Sequence, residues 1–133
     1  MMRFFRRRRP TLGQRGENLA ARHLRRLGFR ILERNVRVGR YELDIIARER
    51  DTIAFVEVKT RRNEDTVSPV DNVGPEKRQH IRRAARRYIA EHKHPNMYYR
   101  FDIVSVVVPQ EGKPSLTLYR NAFLDEPESF RRH

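Results

Sequence analysis

The chain has 133 residues, the size of one domain, and carries 30 Lys and Arg against 17 Asp and Glu, a formal net charge of +13. That excess makes a polyanion, either nucleic acid or an acidic membrane surface, the default partner. The absence of Cys excludes disulfides, thiolate zinc sites and a Cys nucleophile, and no apolar run approaches the roughly 20 residues that span a bilayer.

The opening residues, MMRFFRRRRP, are basic, lack the apolar stretch of a secretory signal, and read as a disordered basic arm over 1–10 of a cytoplasmic protein. A first helix is predicted over 12–27. Its apolar face is Leu12, Leu19, Ala20, Leu24 and Leu27, and Gly28 is its stop. Glu17 lies in a row with Gly13, Ala20 and Leu24, at the border of that face rather than on the solvated side. Strands are predicted over 29–38, 41–48 and 52–60, followed by a polar loop over 61–74. A second helix is expected over 75–93, with Pro75 suited to its first turn. Ile81, Ala84, Ala85, Tyr88 and Ile89 form its buried stripe, and Arg78, Arg82, Arg83, Arg86 and Arg87 take the other face. A strand over 99–108 stops at Pro109, and a shorter one begins at Ser115. Residues 11–124 therefore read as a single α/β domain, and 125–133 as a loose C-terminal tail.

The order is α-β-β-β-α-β-β. The second and third strands are joined too tightly for a helical crossover and must pair antiparallel. The helix after the third strand permits a crossover to a parallel one. A mixed β-sheet flanked by helices on both faces satisfies both conditions.

The chemistry gathers in YELDIIARERDTIAFVEVKTR, residues 41–61. Side chains alternate along a strand, so Glu42, Asp44 and Ile46 share a face, as do Ile53, Phe55, Glu57 and Lys59. A two-residue turn at Glu49-Arg50 or Arg50-Asp51 puts Asp44 opposite or diagonal to Glu57, a few Å to about 7 Å away. Two carboxylates so close repel, and burial makes this worse. A bound Mg2+ or Mn2+ would resolve the conflict, with the Val58 carbonyl as a further oxygen ligand and Lys59 placed to orient a water. A cross-strand ion pair among Glu57, Lys59 and their neighbours accounts for the same charges, and exposed pairs are worth roughly 0–1 kcal/mol. Spacing alone favours that pair. The basic composition and the apolar approach of the third strand weigh toward a site, and both readings stay open on the residues alone.

YELDIIA followed by FVEVKTR is similar to the PD-(D/E)XK nuclease signature. The chain more closely resembles the YraN-like family of small bacterial proteins, through GENLAARHLRRLGFRILERN, ELDIIA, FVEVKTR, KRQHIRRAARRYI and RFDIVSV, in order across roughly residues 12–120. The resemblance implies a restriction endonuclease-like fold akin to junction resolvases. It implies that Asp44 and Glu57 bind Mg2+ or Mn2+, that Lys59 serves the attacking water, and that Glu17 joins the metal shell. One departure is Tyr41, where the family often has Gly. Tyr41 is expected to point away from Asp44 and to change the backbone only locally.

Lys77, opening the second helix, is the leading phosphate contact, followed by Arg78, Arg82 and Arg86 along one side of that helix and by Arg61. For any single Arg a solvated face is the simpler use. Glu42 is a further acid at the site. Asp102, in a strand otherwise apolar on both faces, is either a supporting acid or the buried partner of an Arg, with the structural role favoured. These features lead to the expectation of a metal-dependent, resolvase-like nuclease acting on DNA or branched nucleic acid, with RNA as the other polyanion and without a membrane partner. The rivals are a nucleic-acid-binding module that keeps the fold without turnover and a ribosome-associated protein with structural charge alone. A homodimer follows only by analogy with junction resolvases.

Overall fold

The computed structural model describes residues 8–63 and 73–123. The expected basic arm falls mostly outside these residues, as does the middle of the 61–74 loop, and the C-terminal tail lies wholly outside them. The elements are α1 (Leu12–Arg26), β1 (Arg30–Val38), β2 (Tyr41–Glu49), β3 (Thr52–Arg61), α2 (Pro75–Glu91), β4 (Tyr98–Val107) and β5 (Ser115–Tyr119). The predicted order stands, with ends shifted by one or two residues. The protein is a mixed α/β fold whose five-stranded sheet runs β1-β2-β3-β4-β5. Every neighbouring pair is antiparallel except β3 and β4, which α2 connects in parallel.

Local chemistry fixes both ends of α1. Thr11 and Gln14 form a reciprocal capping box: Gln14 N–H donates to Thr11 Oγ1 at 3.1 Å and Thr11 N–H to Gln14 Oε1 at 2.9 Å. At the other end Gly28 adopts φ +98°, the conformation that closes a Schellman motif. Phe29 N–H bonds the Leu24 carbonyl and Gly28 N–H that of Arg25. Phe29 and Leu24 then pack together beneath the helix.

The helices cover opposite faces. Ala20, Ala21 and Leu24 of α1 pack on Ile45, Ala54, Val56 and Val104. Ile81, Ala84, Ala85 and Tyr88 of α2 pack on Ile46, Ile53, Phe55 and Phe101. Residues 53–56 are buried on both sides, as a central strand covered by a helix on each face requires. Small residues let α1 lie close to the sheet. Gly16 sits directly on Thr60, and a Cβ there would overlap the threonine side chain. This contact sets the N-terminal half of α1, with Glu17, over the end of β3.

The sheet opens at one place. The β2–β3 ladder runs from Glu49↔Thr52 to Ile45↔Val56 and stops, closed at its far end by the two-residue Arg50-Asp51 turn. Beyond it, β3 from Glu57 to Arg61 pairs only with β4, and β2 from Tyr41 to Leu43 only with β1. Strict alternation also fails there. Leu43 and Ile46 both face the α2 core, whereas Ile45 and Ala47 face α1. Across on β1, Val36 turns to α2 while Arg34 reaches α1, with Asn35 between them in the left-handed region at φ +52°. Both strands change face at Asn35 and Asp44, which corrects the expectation of one unbroken face through Glu42, Asp44 and Ile46.

Candidate functional site

The opening between β2 and β3 is a cleft of about 470 Å³. It is lined by Gly13, Gln14 and Glu17 from α1, Asn35 from β1, Glu42 and Asp44 from β2, residues 57–60 of β3, and Lys77 from α2. One cleft thus gathers Asp44, Glu57, Val58, Lys59, Glu17, Glu42 and Lys77, all candidates from the sequence.

Asp44 reaches into the gap where the ladder has ended. Its Oδ2 accepts from the Val58 N–H at 2.9 Å, replacing the strand carbonyl that an unbroken ladder would have offered. Continuing the register places Asp44 opposite Glu57, with the two carboxyl groups close enough to act directly on each other. Burial, then the charge of Glu57, push the Asp44 carboxyl up to about 7, against the opposing pull of the Val58 N–H and the charge of Lys77. Glu57 is 6% exposed, and its Oε1 meets Lys77 Nζ at 2.8 Å. For Lys77, partial burial disfavours the charge, but the Glu57 hydrogen bond and the charges of Glu57, Asp44 and Glu42 outweigh it, and its pKa rises.

Glu17 borders the cleft, with Oε1 held by Arg34 Nε at 3.1 Å while Arg34 Nη2 donates to Asn18. Among the described residues no three His, Asp or Glu side chains gather closely enough to hold a metal ion by themselves. The donor chemistry nevertheless suits a hard dication. Two facing carboxylates, too close for both to carry full charge unaided, are the oxygen ligands that Mg2+ accepts alongside water and phosphate. The Lys59 side chain lines the same cleft and, among the described residues, has no carboxylate within ion-pair distance.

The remaining candidates lie elsewhere. Arg78 donates to the Val73 carbonyl at 2.7 Å and its guanidinium covers the Phe123 ring, as does that of Arg82. Arg86 is exposed on α2, and Arg61 is half-buried at the end of β3. Asp102 is 0% exposed and is clasped by Arg100 through both oxygens at 2.8 and 2.9 Å, the structural role favoured for it. The Tyr41 ring stacks on His80 at 4.5 Å and is not among the cleft residues. Asn35 and Thr60 line the cleft without having been singled out. An Asn in the middle of a predicted strand was the available signal for the first, because Asn is depleted in strands and tolerates the left-handed region.

A family model described as an uncharacterised protein family, UPF0102, matches residues 16–106. A UPF0102 protein of Parafrankia sp. (strain EAN1pec) is 46% identical over 112 residues, covering 84% of this chain and 95% of the relative. One from Nocardia farcinica is 44% identical over 115 residues, 86% of this chain and 91% of the relative. One from Streptomyces coelicolor is 44% identical over 108 residues, 80% and 83% of the two chains.

Proposed function

The chain belongs to the UPF0102 family, the YraN-like group that its motifs resemble, and from that premise we propose that it is a metal-dependent nuclease acting on DNA or branched nucleic acid. The observation that carries the reading is the Asp44–Glu57 pair, facing across the break in the β2–β3 ladder with Lys59 and Lys77 beside it. Asp44, Glu57 and the Val58 carbonyl would hold Mg2+ or Mn2+, with Glu17 supporting the shell. When bound, that ion would supply Lewis acidity toward a phosphodiester. Lys59 orients the attacking water and stabilises charge developing on the phosphate oxygens. Asp44 is fixed by the Val58 N–H, so it would meet the ion without first giving up rotamer freedom. The net charge of +13 draws the polyanion to the cleft. Such a protein acts in the cytoplasm.

Cleavage of duplex, single-stranded, flap and four-way DNA in Mg2+ or Mn2+ tests this. Wild type should cut at least one substrate, and Lys59→Ala and Asp44→Ala should each lose about 10²-fold or more. Equal product from wild type and both variants would sink the assignment. A second reading, a binding module that keeps the fold without turnover, draws on the Lys77–Glu57 pair, which already gives Glu57 a cation. Binding without cleavage across the whole panel would favour it.

A further inference from the structure

Resting on the metal-site reading above, we propose that Lys77 is the resident counter-cation of the Asp44–Glu57 pair, and that a divalent cation enters by exchange with its ammonium group. The ammonium sits 2.8 Å from Glu57 Oε1 and lies in the field of Asp44 and Glu42 as well. Its partner is nearly enclosed, whereas the Lys77 side chain is 51% exposed. One end of the ion pair is therefore fixed and the other is free to withdraw into water.

Residue type and placement both suit an exchange. A lysine ammonium is a compact charge on a flexible stem, and one contact releases it. A guanidinium gripping both oxygens would have to break paired bonds. Arg100 grips Asp102 in that paired way elsewhere in this molecule. Lys77 comes from the first turn of α2 and the carboxylates from the β2–β3 hairpin, so its withdrawal moves no strand. Glu57 keeps a cation before and after exchange, and the pair never faces the low-dielectric interior bare. The affinity of the site for a divalent ion is then a competition, weaker than the carboxylates alone would give.

The test is calorimetric titration of the full chain with Mn2+, for wild type, Lys77→Met, Lys77→Arg and Asp44→Ala. Loss of the competitor should tighten Mn2+ binding by Lys77→Met about tenfold, the scale of one partly buried ion pair. Lys77→Arg keeps a cation and should bind no tighter than wild type. Asp44→Ala should show no site-specific heat. In the wild type, the lysine ammonium NMR signal assigned to Lys77 should be protected from solvent exchange without metal and lose that protection when Mg2+ is added. If Lys77→Met does not fold, this signal decides the matter. Equal or weaker Mn2+ binding by a folded Lys77→Met, or a Lys77 signal indifferent to Mg2+, overturns the exchange and leaves the metal site standing. Absence of Mn2+ binding by wild type and every variant overturns both.

Discussion

Asp102 and Asp44 each place a carboxylate within a strand of the same sheet, in opposite electrostatic circumstances. Both oxygens of Asp102 are held by Arg100, and its Oδ1 also takes the Asn121 N–H at 2.8 Å. Arg100 continues to Glu49, which Arg120 clasps at 3.0 and 2.7 Å. Every acid there faces a guanidinium or a main-chain donor. Asp44 instead faces another carboxylate, with one main-chain N–H and a share of one lysine. The first cluster is compensated by groups that cannot leave. The second is left short of positive charge beside an open cleft, where a cation can supply it.

Breaking the compensated cluster should cost the most. Arg100→Ala leaves Asp102 buried with a single main-chain donor and should lower stability by about 3–5 kcal/mol in urea unfolding. Its Mn2+ titration should match wild type. A loss of less than about 1 kcal/mol would remove the contrast. Gly16→Ala comes next. Its Cβ overlaps Thr60, forcing α1 off β3 at an overpacking cost of about 1–3 kcal/mol in thermal unfolding.

The under-compensated cluster should respond in the other direction. Asp44→Asn relieves the repulsion and should raise stability at pH 8 by about 1–2 kcal/mol, while abolishing Mn2+ binding. The sign follows from the raised Asp44 pKa. The folded state holds a proton that the unfolded chain has released, so this contribution is complete below the ordinary value of 3.8 and is lost as pH rises through about 7. The gain from Asp44→Asn should therefore vanish by about pH 4. A gain independent of pH would mean that charge is not its source.

Arg120→Ala should have the smallest effect, about 1 kcal/mol or less, because its side chain is nearly half exposed. The Arg120 hydrogen bond is the largest influence on Glu49. With Arg100 it outweighs burial and lowers the Glu49 pKa. This contribution is present above the ordinary value of 4.5 and is lost as pH falls through the lowered one. The two clusters should thus give opposite pH slopes in stability measured from pH 3 to pH 8.

Most of the fold was legible because its signals are local. Gly28 ends α1, Pro75 starts α2, and the tight joint between β2 and β3 forces the antiparallel pair that brings Asp44 to Glu57. The face change at Asn35 and Asp44 was not legible, because alternation presumes an unbroken ladder and this one stops where the side chain of Asp44 takes over a main-chain bond. Arginine spacing on α2 could not reveal that Phe123, far along the chain, draws in Arg78 and Arg82. Nor could composition show that Glu49 and Arg120 would complete the setting of Asp102, since that network joins strands through tertiary contacts.

The left-handed turn at Asn35 has a second effect, because β1 is an outer strand of the sheet. The β1–β2 register also shifts between Ile31 and Glu33, so the rim of main-chain donors and acceptors on β1 is interrupted twice within one strand. The exposed Arg30 and Arg37 add like charge along it. A neighbouring copy therefore finds no long, flat template there on which to add a strand, and the irregularity that shapes the cleft also guards this side of the protein against aggregation.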